Sequence, residues 1–143
     1  MDILAISLSI ILTIIALVHL SWALGSTWPG KDETDLARTV VGIKGKTKMP
    51  PRWQSALVAG IIFATAFWPL MWRALIDYFV PQGMVWAGMF GIATAFAIRG
   101  VLGYLPPIST RHTEQPFATY NRRYYSPLCL ALAAGFALLM LYL

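Results

Sequence analysis

"NRRYYSPLCLALAAGFALLMLYL", residues 121–143, is the stretch whose reading decides the fold. Two arginines, two tyrosines, a serine and a proline precede the chain's only cysteine, and beyond them the sequence is almost wholly apolar. A helix over 126–143 would be about 27 Å long at 1.5 Å per residue, close to the roughly 30 Å hydrocarbon core of a bilayer. Arg122 and Arg123 then mark a cytoplasmic boundary, and Tyr124 and Tyr125 sit with Tyr120 at headgroup level as an aromatic belt. Ser126-Pro127 reads as a helix start, with serine as cap and proline in the first turn.

Three further apolar segments have the same character: Ile3–Leu24, Ala56–Phe79 and Met84–Leu105. Backbone polar groups in lipid must be satisfied within the segment, and none of these runs alternates with period two, so helices are favoured over barrel strands. The expected fold is all-α: a four-transmembrane-helix bundle with a short amphipathic helix in the first cytoplasmic loop. Residues 1–143 form a single integral membrane domain in this reading.

Composition agrees. The 143 residues are 58% hydrophobic and 12% charged, where a water-soluble domain carries about 25% charged residues. The net charge of +5 does not indicate nucleic acid, because the basic residues sit in short loops rather than along one face. A single cysteine excludes an internal disulfide scaffold.

The first segment opens Met1-Asp2, without the basic start of a signal peptide, and outlasts a signal's apolar region, so it is expected to remain as a span. Of the 11 Lys and Arg residues, all but Arg73 fall on the side of the first and third loops. The positive-inside rule therefore places those loops in the cytoplasm and both termini outside, in a bacterial cytoplasmic membrane.

In the first loop, Asp32 or Thr34 is placed to cap a short helix through Val41, with Leu36, Val40 and Val41 on one face along the membrane surface. "VPQG" at 80–83 reads as a tight turn joining the second and third helices. Pro69 removes a backbone donor and predicts a kink in the second helix. Small residues at Ala87, Gly91 and Ala95, and at Ala131 and Gly135, suit close helix approach. "GKT" at 45–47 is no phosphate loop, since Val40 stands where the first glycine is needed. Lys44, Lys46 and Lys48 suit anionic headgroups instead.

His19 and Arg99 are the ionisable residues inside apolar segments that invite a functional reading. They share a depth with Trp53, Gln54, Ser126 and Cys129, which suggests a polar vestibule facing the cytoplasm. The candidate ligand-binding residues are His19, Trp22, Arg99 and Tyr125; those expected at the membrane interface are Trp53, Arg122, Arg123 and Tyr124. A haem would want a second axial ligand, and His112 lies in a loop, so no cofactor and no metal site is expected. Cys129 in a first helical turn has an N-terminal dipole beside it but apolar surroundings, and no base for nucleophilic work.

"HLSWALGSTWPG" at 19–30, "MPP" at 49–51, "RGVLGY" at 99–104 and "FATYNRRYYSPLCLAL" at 117–132 together resemble a family of small bacterial four-helix integral membrane proteins catalogued only as a domain of unknown function. The resemblance covers nearly the whole chain and implies four helices in the cytoplasmic membrane, with no assigned activity, cofactor or substrate. Its pattern has an aspartate where this chain has Asn121, so a role for that carboxylate does not carry over.

The first functional reading is a non-enzymatic bundle whose vestibule binds a lipid headgroup or amphipathic small molecule, or which packs in a larger membrane assembly. Its partners would be the bilayer and either further copies of itself or that assembly. One alternative is a membrane enzyme or redox component using His19 with a quinone or lipid substrate. Another is a small oligomeric transporter.

Overall fold

The computed structural model describes residues 1–106 and 110–142. The described residues are helical without strands. The long elements are α1 (Asp2–Ala23), α3 (Arg52–Thr65) continued by α4 (Trp68–Trp72), α5 (Gln82–Leu102), and α6 (Phe117–Tyr120) running through a wide turn at Asn121–Tyr125 into α7 (Ser126–Leu141). Four stretches, Asp2–Ala23, Arg52–Trp72, Gln82–Leu102 and Phe117–Leu141, are long and apolar enough to cross a membrane.

The loop helix α2 (Glu33–Val40) forms as its cap chemistry dictates. Asp32 Oδ1 accepts from the Asp35 N–H at 2.8 Å, and Asp35 Oδ2 reaches back to the Lys31 N–H at 3.0 Å, a reciprocal arrangement akin to a capping box. Its buried face carries Leu36, Ala37 and Thr39 rather than the expected Leu36, Val40 and Val41.

The second span starts at Arg52 rather than Ala56 and the third runs Gln82–Leu102 rather than Met84–Leu105, and two boundaries move further. The second span ends at Trp72, not Phe79, and the tight turn at 80–83 becomes a longer connection from Arg73 to Pro81. There Ile76, Tyr78 and Val80 pack on the core in alternation while Phe79 is fully exposed, so this apolar stretch covers the bundle end as irregular, non-helical chain. The fourth span begins at Phe117, and Ser126 is not a cap: it lies inside the continuing helix with no capping hydrogen bond. The expected end of that span, Leu143, lies outside the described residues. Pro69 acts as expected, since regular α-helix stops at Thr65 and resumes at Trp68.

α1 packs along α3, and α5 along α7, with thinner contact between the two pairs. The pairs converge near the chain termini, where Leu8, Leu12, Trp72, Met89, Phe136 and Leu139 share one buried cluster. Trp72 locks this end by donating Nε1–H to the Leu139 carbonyl at 2.9 Å. Gly135 packs against Leu8, whereas Ala87, Gly91, Ala95 and Ala131 face outward. The rest of the outer surface is apolar too, with Ile3 82% and Phe90 68% exposed. Away from the termini the pairs part, and the space between them positions the site.

Candidate functional site

Arg99 stands in the last turn of α5, where a cation complements the carbonyl end of the helix dipole. Its Nη2–H donates to Asn121 Oδ1 at 2.9 Å, and Nη1 lies at the limiting distance of 3.5 Å from Ser126 Oγ. Asn121 Nδ2 donates to the Gly103 carbonyl at 3.1 Å, and the Ser126 hydroxyl donates to Asn121 Oδ1 at 3.3 Å. These bonds fix the amide orientation, because only the oxygen can accept from Arg99.

The backbone explains how residues five apart come together. At Asn121–Tyr125 the helix widens to a π-turn, closed by the Ser126 N–H on the Asn121 carbonyl, which stacks Asn121 and Ser126 on one side. Such turns recur at functional sites. Gly103 completes the arrangement: a Cβ there would sit 1.8 Å from Ser126 Oγ, so no larger residue fits without movement. Asn121 is 3% and Ser126 0% exposed, yet Arg99 remains half-buried. Among the described residues the ion pairs are Arg38–Glu114 and Arg73–Asp2; neither involves Arg99.

Arg99 lines a cavity of about 550 Å³ between the helix pairs. His19 and Trp22 of α1 face it, with Val58 and Ile62 of α3, Phe96 of α5, and Cys129 and Leu132 of α7. Trp28, Pro29, Val40, Phe117 and Tyr125 wall it on the loop side. Its volume falls within the roughly 300–1,000 Å³ of small-molecule sites, and its walls are mostly apolar with a few polar groups, as such sites usually are.

The loop-side wall is tied together across the chain. Tyr125 donates its hydroxyl to the Thr39 carbonyl at 3.1 Å, and His112 Nδ1–H donates to the Val41 carbonyl at 2.6 Å. Phe117 fills the space over Gly42, whose φ of +69° and lack of a Cβ the packing requires. The Glu114 N–H bonds the Gly42 carbonyl at 3.1 Å, and Glu114 pairs with Arg38 at 3.4 Å.

His19, Trp22, Arg99 and Tyr125, the four residues singled out from sequence, thus line one cavity. Trp22 has already spent its N–H on the Trp28 carbonyl at 2.7 Å and offers a ring face, while Tyr125, its hydroxyl proton spent on Thr39, offers a ring face and an accepting oxygen. Trp53 and Gln54 are exposed and do not line the cavity; Ser126 lies behind Arg99. Arg122, Arg123 and Tyr124 are exposed at the same end. Sequence reasoning missed Asn121 as the partner of Arg99. The one available signal was that it is the chain's only asparagine. Among the described residues no cluster of three or more His, Cys, Asp or Glu is placed to hold a metal ion.

The architecture defines an all-helical protein with four helices apolar enough to cross a membrane and an arginine-bearing cavity where two helix pairs part. Residues 12–136 match the family described as "Protein of unknown function (DUF3995)", and the chain belongs to that family, as its motifs suggest. No curated protein and no solved structure matches it.

Proposed function

We propose that the chain is a multi-pass protein of the bacterial cytoplasmic membrane whose cavity binds an amphipathic molecule, pairing the anionic head with Arg99. The basic loops lie in the cytoplasm and both termini outside. The apolar outer surface supports embedding, since water tolerates no such continuous exposure. The grouping of basic residues supports the orientation.

One observation carries the binding reading. Arg99 borders a mostly apolar cavity and, among the described residues, is held by neutral groups, Asn121 and Ser126. A cation drawn from water needs a compensating charge. The helix dipole offsets about 0.3–1 kcal/mol of that need, whereas a hydrogen bond to a charged group is worth about 1.5–3 kcal/mol. An anionic head therefore compensates Arg99 better than the dipole does. His19, Trp22 and Tyr125 complete the wall around it. Binding suits this set better than chemistry: among the described residues Cys129 makes no hydrogen bond and no carboxylate orients His19.

The test uses fluorescence, because Trp22 and Trp28 line the cavity. In phosphatidylcholine nanodiscs, an alkyl phosphate with a brominated chain is expected to quench the wild type saturably. Arg99→Gln should weaken the titration by roughly 10-fold or more. Identical curves would refute the reading.

A second reading, packing against another membrane protein or copy, draws on α5. Ala87, Gly91 and Ala95 are exposed on it, with nothing within 4 Å above Gly91. Cross-linking through Ala87→Cys in native membranes tests it, and a monomer at all cross-linker concentrations would remove it.

A further inference from the structure

The proposed ligand also carries a hydroxyl, we infer, and His19 is the residue that reads it; this rests on the anion-binding reading of Arg99. The tautomer of His19 decides what it can offer. His19 Nδ1 lies 2.9 Å from the Ile15 carbonyl, which can only accept, so Nδ1 bears the proton. In the neutral ring Nε2 is then a bare acceptor at the end turned away from the helix backbone. Its orientation is fixed twice: by that bond, and by the Trp22 ring, 4.8 Å away and tilted by 58°. Trp22 is itself anchored to the Trp28 carbonyl.

Nothing among the described residues bonds Nε2. Of the other polar side chains of the wall, Arg99 and Trp22 only donate; the Tyr125 oxygen, its proton spent on Thr39, still accepts, but a phenol oxygen is a weaker base than an imidazole nitrogen. The cavity therefore presents the Arg99 donor and, as its strongest side-chain acceptor, His19 Nε2, on mostly apolar walls. A ligand that satisfies both has an anion for Arg99, an O–H for His19 and a hydrocarbon body. Its chemical class is a hydroxylated anionic amphiphile, with a hydroxylated long-chain phosphate ester, monoacyl or diacyl, as the form to probe.

Calorimetric titration of the detergent-purified full chain with two probes of equal chain length, lauroyl glycerol phosphate and dodecyl phosphate, tests this. The wild type is expected to bind the hydroxylated probe roughly 3- to 10-fold more tightly, the size of one neutral hydrogen bond. His19→Phe keeps a ring beside Trp22 without the acceptor and should bind both probes equally. His19→Gln, which restores an acceptor, should recover part of the difference. Arg99→Gln should weaken both probes alike. Equal wild-type affinities would overturn the hydroxyl assignment and leave the anion reading standing, and so would a preference that survives in His19→Phe. Failure of the wild type to bind either probe would overturn both.

Discussion

Arg99 donates to Asn121 Oδ1 at 2.9 Å, while Asn121 gives its own amide proton to the Gly103 carbonyl, so the cation is anchored through neutral groups to the turn that ends its own helix. The anchor orients the guanidinium without neutralising it. Asn121→Asp gives up the hydrogen bond to Gly103 but closes an internal ion pair with Arg99, and should lower affinity for an anionic amphiphile by roughly 10-fold or more, given about 1.5–3 kcal/mol for a charged hydrogen bond. Titration of the variant with dodecyl phosphate checks this; unchanged affinity would mean that Arg99 does not meet the anion.

Gly103 and Ser126 are coupled through space. A Cβ at 103 would meet Ser126 Oγ at 1.8 Å, so Gly103→Ala should destabilise by about 1–3 kcal/mol, as overpacking does. Adding Ser126→Ala removes the nearest clashing atom and should recover part of the loss. Thermal unfolding in detergent of both single variants and the double variant measures the coupling.

The loop-side wall predicts a contrast between two polar contacts. Tyr125→Phe removes the half-buried hydrogen bond to Thr39 and should cost about 0.5–1.5 kcal/mol of local stability. Glu114→Gln removes the pair with Arg38, which is half exposed, and should cost less. Hydrogen exchange of α2 amides reads the difference: faster exchange is expected in Tyr125→Phe, and equal rates in both variants would contradict it.

Cys129 touches the cavity but forms no hydrogen bond among the described residues. Cys129→Ser is expected to leave probe affinity within about 2-fold, and a complete loss would give the thiol a role that the wall chemistry does not assign.

Orientation has its own test. Arg73, the basic residue set apart from the others, pairs with Asp2 at 2.8 Å and so marks the end where the chain begins. A C-terminal alkaline phosphatase fusion should be active and a C-terminal green fluorescent protein fusion dark. The reverse pattern would invert the proposed topology.

Much of this was readable in the sequence, and the misses have physical causes. Long apolar runs announce lipid-length helices because the pattern needs no tertiary partner. Where an apolar stretch packs as non-helical chain, as at Ile76, Tyr78 and Val80, composition cannot tell it from helix. The fourth span begins earlier than expected because α6 and its π-turn lie in a polar stretch with Arg122 and Arg123, which hydropathy reads as loop. Depth along the helices was legible and facing was not. His19, Arg99 and Cys129 share both depth and cavity, whereas Trp53, at a similar depth, turns outward and is 64% exposed. Asn121 was invisible as a partner because its role depends on Arg99 from another helix.

Whether Arg99 holds an anion decides the rest. Native mass spectrometry of the wild type and Arg99→Gln, each released from its own membranes, tests that most directly. The wild type should carry a bound acidic amphiphile, and Arg99→Gln should lose most of it while remaining folded. A wild type free of any such molecule, or equal occupancy in the two proteins, would contradict anion binding by Arg99.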